Sequence, residues 1–341
     1  MNKRKIELKN CLELFPLRIA ITDYCNLQCF FCSNEGMPFS QKNKTHINVK
    51  QLNYLIKNLV DKGLKNVSIT GGDPTLHPKI FEIIDFLNQF NFKNLFFHTN
   101  GINLNKNLIK KLSKKANKIA VSMHSANLDT WQKMTGGTKS QFKKLISSLE
   151  LLSNITNNNL LVELKSVLIR GYNDSEKELK DFLELCNIFG FKFKFLNFEP
   201  IIPEHIRLVL PFGEVKRRLI NIGCRIEEEE KEFRGQCNYL PIKKFRYRDV
   251  LGVAIKIGCG EPKVCRECYR SNEIFITSEF QIKPCHIDDY QINLGEFIKK
   301  QDEQAIFKAI IASRLFLACS PRSDSKLWQN NKSSLINYDN K

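Results

Sequence analysis

The run Cys25-Asn-Leu-Gln-Cys29-Phe-Phe-Cys32 places three thiols on one short segment. Thiolates are soft ligands, suited to iron–sulfur clusters and to zinc. The Cys-x3-Cys-x2-Cys spacing suits three irons of a 4Fe–4S cube and leaves the fourth iron without a protein ligand. Structural zinc, the competing reading, usually takes four ligands from paired Cys-x2-Cys hooks. A second group lies far downstream: Cys265-Arg-Glu-Cys268, then Cys285 in Lys-Pro-Cys285-His. It offers three thiols again, with Cys259 close enough to be a fourth, and either a cluster or a zinc ribbon fits that spacing. Of the twelve cysteines, Cys186 falls on an apolar helix face, and Cys11, Cys224, Cys237 and Cys319 have no neighbour at ligand spacing.

Such loops need elements to hold them. Arg18–Thr22 reads as a strand that delivers the chain to Cys25. Val49, Leu52, Leu55, Ile56, Leu59 and Val60 share one helical face, and Gly63 closes that helix. Val67–Thr70 is a second strand, running into Thr70-Gly71-Gly72-Asp73-Pro74. Helix and strand then alternate: Phe81 to Phe90, Leu95–Thr99, Leu108–Leu112, Ile119–Met123, Gln141–Leu152, Leu160–Ile169. Ser175-x-x-Glu178 reads as a capping box before a helix carrying Leu179, Phe182, Leu183, Cys186 and Phe189. Phe191, Phe193 and Phe195 alternate with lysines as a sixth strand. Parallel strands need helix-length crossovers, so six such units predict an α/β fold, a partial (β/α)6 TIM-like barrel with its site at the strands' carboxyl ends. The expected division is a core over residues 14–202, a smaller C-terminal region over 203–323, and a flexible tail over 324–341.

The chain has 341 residues and a formal charge of +17. That balance favours an anionic partner, although a Lys- and Asn-rich composition raises it without any function. No apolar run reaches the ~18–20 residues that span a bilayer, and no signal-length apolar run follows the charged N-terminus. The expectation is a cytoplasmic protein in a reducing compartment, where clustered cysteines favour metal over disulfides.

From Leu14 to Cys285 the chain resembles the radical S-adenosylmethionine (SAM) superfamily, and within it the GTP 3′,8-cyclases of molybdenum cofactor biosynthesis. The segment Leu17-Arg-Ile-Ala-Ile-Thr-Asp-Tyr-Cys25-Asn26, the Gly71-Gly72-Asp73-Pro74 turn and Thr99-Asn100-Gly101 carry the likeness, in the expected order. The resemblance implies that Cys25, Cys29 and Cys32 hold a SAM-binding 4Fe–4S cluster. It implies that Phe31, Gly71, Gly72, Asp73, Pro74, Thr99, Asn100 and Ser122 line the SAM site, and that Cys265, Cys268 and Cys285 flank a hairpin and hold a second, auxiliary 4Fe–4S cluster. An external electron donor such as flavodoxin or ferredoxin follows from the chemistry. His124 stands where the family more often has an acidic residue.

The likeness breaks at the substrate. Where GTP 3′,8-cyclases carry Lys and Arg on the second strand, this chain has Asn66 and Ser68; where they carry Lys and Asn on the fifth, it has Glu163 and Lys165. A carboxylate replaces a cation that a phosphate would need. The expected substrate is therefore a small, anionic molecule other than GTP, nucleotide- or sugar-derived. Peptide maturation is the alternative enzyme reading, and RNA binding or modification ranks below it, since no RNA-binding motif is present.

Overall fold

Apolar residues repeat with period two on each of the first six strands, and with a helical period between them. The computed structural model describes residues 12, 16–32, 45–155, 160–200, 203–227, 242–255, 273–285 and 290–319. Strands β1 (Leu17–Ala20), β2 (Asn66–Thr70), β3 (Asn94–Thr99), β4 (Lys118–Ser122), β5 (Leu161–Leu168) and β6 (Lys192–Asn197) are all parallel and lie in sequence order. Helices α1 (Val49–Asp61), α2 (Ile80–Leu87), α3 (Lys106–Leu112), α4 (Leu128–Thr135), α5 (Lys139–Ile155) and α6 (Glu176–Phe189) supply the crossovers. Asn48 caps α1 by accepting from the Gln51 amide. Gly190, at φ +67°, ends α6 in the left-handed conformation that glycine adopts without strain. Ser175 caps α6 through the Glu178 amide, but the Glu178 carboxylate accepts from Ser125 and Thr130. Its side chain thus ties α6 to the β4 loop.

One set of strand residues, among them Leu17, Ile19, Val67, Ile69, Phe97, Ile119, Val121, Leu164, Phe193 and Phe195, packs into the main apolar cluster with the helices. Alternation turns Arg18, Ser68, His98, Lys118, Glu163, Lys165 and Lys194 to the other face, which is the barrel interior.

Beyond residue 203 come α7 (Phe212–Asn221), β7 (Arg225–Ile226), β8 (Ile242–Tyr247), β9 (Val250–Ile255), β10 (Ile274–Ile276), β11 (Gln281–Lys283), β12 (Ile292–Asn293), α8 (Gly295–Lys299) and α9 (Glu303–Cys319). These strands extend the same sheet at both edges, in the order β12-β11-β10-β1-β2-β3-β4-β5-β6-β9-β8-β7. Gly252 on β9 has no side chain because the Phe193 ring lies where a Cβ would stand, 2.3 Å away. The hairpin expected between the downstream cysteines is β10–β11, antiparallel, with Phe275 opposite Lys283.

Candidate active site at the carboxyl ends of the strands

The loop after β1 carries Cys25, Cys29 and Cys32, the first two half-buried and the third exposed. None of them forms a disulfide. Helix α4, which the sequence reading did not anticipate, anchors this loop: Gln28 N donates to Thr135 O (2.9 Å) and Phe30 N to Met134 O (3.3 Å). The Gln141 side chain donates to Asn26 O at 2.9 Å. These anchors have no signature in the cysteine spacing, because they are backbone groups and one amide from the next helix.

The loop after β2 lies against the first. Gly72 N donates to Thr22 O and Asp73 N to Tyr24 O, both at 2.8 Å. A Cβ on Gly71 would stand 2.2 Å from Thr22 O, and one on Gly72 would stand 2.3 Å from Tyr24 O. Both glycines are therefore demanded by the close approach of two loops. The Gly72 and Asp73 amides are engaged within the protein, which leaves carbonyl oxygens as the groups suited to an ammonium.

Asp73 is fully buried, and its carboxylate accepts four hydrogen bonds: from the Thr75 amide and hydroxyl, from Thr99 Oγ1 (2.8 Å) and from Asn100 N (2.7 Å). Burial raises its pKa against those four donors. Asp73 thus braces the ends of β2 and β3, and Pro74 starts the short 3-10 turn that follows. The Asn100 amide donates to Asn26 Oδ1 (2.6 Å) and stands 3.7 Å from Cys25 Sγ, which also accepts from Leu27 N at 3.5 Å. Ser122 ends β4 half-buried. His124 follows at φ +62°, its carbonyl accepting from Ser166 Oγ (2.7 Å) and Asn173 Nδ2 (2.8 Å). Its ring meets Phe31 edge-on at 4.8 Å, and burial pushes its pKa down to about 4.

The three cysteines suit a cluster better than a single ion. Structural zinc usually takes four ligands, whereas three thiols at this spacing serve three irons of a cube and leave the fourth open. Burial raises the Cys25 pKa to about 11, with the Asp73 carboxylate adding to it, and burial, then Cys32 and Cys25, raises that of Cys29. Bound cationic iron would relieve that mutual repulsion, and the donors at Cys25 Sγ are those a ligating thiolate accepts.

The barrel interior below this mouth is charged. Lys165 Nζ is hydrogen-bonded to His98 Nδ1 at 2.8 Å, and Lys118 Nζ lies 3.6 Å from Glu163 Oε1. Arg18 donates to Thr70 Oγ1 and pairs with Glu273, both at 3.3 Å. Burial lowers the Lys165 pKa well below the usual range, with Lys194 adding to the effect, and burial brings Lys194 down to about 8. Burial alone would raise the Glu163 pKa, but Lys118, Lys165 and Lys194 outweigh it and hold it low. Because β11 runs antiparallel to β10, and β10 parallel to β1, Cys285 emerges at the amino end of β1, at the opposite mouth from Cys25. Cys259, Cys265 and Cys268 lie outside the described residues.

Residues 19–183 match the family model of the radical SAM superfamily. This chain is an enzyme of the radical SAM class. It is 28% identical over 300 residues to the GTP 3′,8-cyclase of Clostridium acetobutylicum, covering 84% of this chain and 85% of that one. The probable GTP 3′,8-cyclase of Methanocaldococcus jannaschii is 27% identical over 281 residues, or 81% and 86% of the two chains. In fold, the enzyme is similar to SuiB of Streptococcus suis bound to S-adenosylmethionine, with a TM-score of 0.62, 14% identity, and 93% and 72% of the two chains covered. It is also similar to native anSMEcpe with bound AdoMet, with a TM-score of 0.57, 16% identity, and 95% and 99% covered. Radical SAM chemistry uses SAM and a 4Fe–4S cluster. No described helix is long and apolar enough to cross a membrane.

Proposed function

We propose that this radical SAM enzyme acts on a small anionic substrate held inside the barrel, between Cys25 at one mouth and Cys285 at the other. In this reading Cys25, Cys29 and Cys32 hold the 4Fe–4S cluster, and Phe31, Gly71, Gly72, Thr99 and Ser122 line the SAM site. Asp73, Pro74 and Asn100 hold those loops in place. When bound, cluster and SAM together supply a 5′-deoxyadenosyl radical that abstracts hydrogen from the substrate. Cys265, Cys268 and Cys285 hold an auxiliary cluster, residues 203–323 form its region beside the core at 14–202, and a flavodoxin or ferredoxin supplies the electron.

The interior charge carries this reading: among the described residues Arg18, Lys118 and Lys194 face the carboxylates Glu163 and Glu273, so cations outnumber anions in an enclosed space. Such an imbalance favours an anionic ligand. The arrangement does not favour GTP. Asn66 is hydrogen-bonded to Asn94, Ser68 brings no charge, and Glu163 repels a polyphosphate from the fifth strand. Peptide maturation is the second reading, supported by likeness to SuiB bound to precursor peptide SuiA, with a TM-score of 0.63 and 14% identity.

The test is anaerobic reconstitution followed by SAM and dithionite, with 5′-deoxyadenosine read by mass spectrometry. The native protein is expected to form it, and a variant with all three loop cysteines changed to Ala is expected to be silent. Added GTP is expected to leave the rate unchanged. A rate raised tenfold or more by GTP, with a cyclised product, would overturn the substrate reading.

A further inference from the structure

Lys165 stands where the family resemblance places Asn, and nothing in the radical step requires an amine there. On β5 it pairs in register with Ser122, the last residue of β4, so it lies level with the site's upper rim. Its Nζ is 2.8 Å from His98 Nδ1. In the tautomer protonated at Nε2, Nδ1 is free to accept from the amine, and the Nε2 of His98 is buried without a hydrogen-bond partner. Arg18, Lys118 and Lys194 bring positive charge to the pair, and Glu163 is the carboxylate that acts on Lys165. An amine enclosed among cations is held in its neutral, nucleophilic form, which is the setting of lysines that capture carbonyls. Burial, with the neighbouring cations adding to it, lowers the pKa of both Lys165 and His98 well below their usual values, in agreement with a neutral amine beside a neutral imidazole.

We propose that Lys165 captures the substrate as an imine, and that the substrate is a small carbonyl compound bearing one oxyanion. This rests on the reading of a small anionic substrate in the barrel. The amine nitrogen adds to the carbonyl carbon, giving a carbinolamine. His98 Nδ1 takes a proton from that nitrogen and returns it to the carbinolamine oxygen. The oxygen leaves as water with both amine protons, and hydrolysis reverses the sequence after the radical chemistry. No electrons are exchanged. Lys194 and Arg18 provide the charge that draws in the oxyanion, and Glu163 leaves room for one such group and not for a polyphosphate. The imine would tether the substrate on the strand beside Ser122, fixing which carbon faces the SAM site.

The reconstituted full-length enzyme is incubated anaerobically with cyanoborohydride and one of three probes: pyruvate, dihydroxyacetone phosphate, or neutral hydroxyacetone. Adducts are mapped by peptide mass spectrometry, in parallel with 5′-deoxyadenosine formation from separate samples. Either anionic probe is expected to label Lys165 about tenfold more than hydroxyacetone, the worth of one charge-assisted contact. Whichever anion labels identifies carboxylate or phosphate as the recognised group. Lys165→Arg should abolish the label with an unchanged circular dichroism spectrum, and Lys194→Met should bring the anionic probes down to the hydroxyacetone level. Absence of an adduct at Lys165, or labelling spread over exposed lysines and unchanged by Lys165→Arg, would overturn the proposal. Because cyanoborohydride trapping needs neither SAM nor the one-electron reductant dithionite, failure to make 5′-deoxyadenosine with intact trapping would count against the radical reading alone.

Discussion

Asn100 links the two sides of the site through one side chain. Its amide donates to Asn26 and stands against Cys25 Sγ, while its carbonyl oxygen accepts from Ile102 N at 3.0 Å. Its backbone amide also donates to Asp73. A side chain beside a cluster sulfur affects both ligand orientation and reduction potential. Asn100→Ala keeps the backbone bond and removes only the side-chain ones. It is expected to lower 5′-deoxyadenosine formation by about 10- to 100-fold, the usual cost of a lost outer-shell partner. The cluster's electron paramagnetic resonance signal should appear at a lower potential in a redox titration. Unchanged activity and potential would show that the 3.7 Å approach to sulfur has no effect on the cluster. Residue types alone did not indicate this role, since Thr-Asn-Gly at a strand end also reads as a plain turn.

Elements explain why the glycines are fixed. Because the β1 and β2 loops touch through backbone at Thr22 and Tyr24, a methyl group at Gly71 or Gly72 meets carbonyl oxygen, which cannot rotate away. Gly71 also has φ +143°, where an L side chain is strained. Gly71→Ala is expected to destabilise the protein by about 3 kcal/mol in denaturant unfolding, the upper range for overpacking. A loss below about 1 kcal/mol would mean that the loops separate easily. Much of this scale was legible in the sequence. The six β/α units have their own apolar periods, so β1 to β6 and their main helices fall within a few residues of expectation. Helix α4 escaped because its segment Leu-Asp-Thr-Trp-Gln-Lys-Met-Thr is mostly polar and buries only Trp131, Met134 and Thr135, too few apolar positions to show a period. Strand β8 reads as a basic stretch in Ile-Lys-Lys-Phe-Arg-Tyr, yet Phe245 and Tyr247 are buried and the intervening side chains are not. Lys194 was legible only as one of the lysines alternating with phenylalanines. A strand with helices on one face and the barrel interior on the other has no solvent side, so that alternation already placed a lysine inside.

At the scale of the whole molecule, the sheet encloses charge that the fold would be more stable without. Lys194 is 6% exposed, and burial brings its pKa down from the ordinary lysine range to about 8. At pH 7 both folded and unfolded chains carry this proton, and the folded state bears the desolvation cost in full. Between pH 8 and about 10.4 the unfolded lysine still holds its proton while the folded one has lost it. Over that window the unfolded chain binds more protons, so the native protein gains stability from Lys194 as pH rises. Lys194→Met should therefore raise stability at pH 7 by about 2–3 kcal/mol, because an apolar side chain of similar length removes a buried charge. The difference from the native protein should shrink as unfolding is measured at pH 9 and then pH 10. The same variant should lose turnover of any anionic substrate, since the charge it removes is the one the ligand requires. A variant that is both less stable at pH 7 and fully active would mean that Lys194 is a structural partner of Glu163. More stability with less activity would mean instead that the barrel keeps an unfavourable cation for its ligand, the trade expected where binding and folding make opposite demands on one residue.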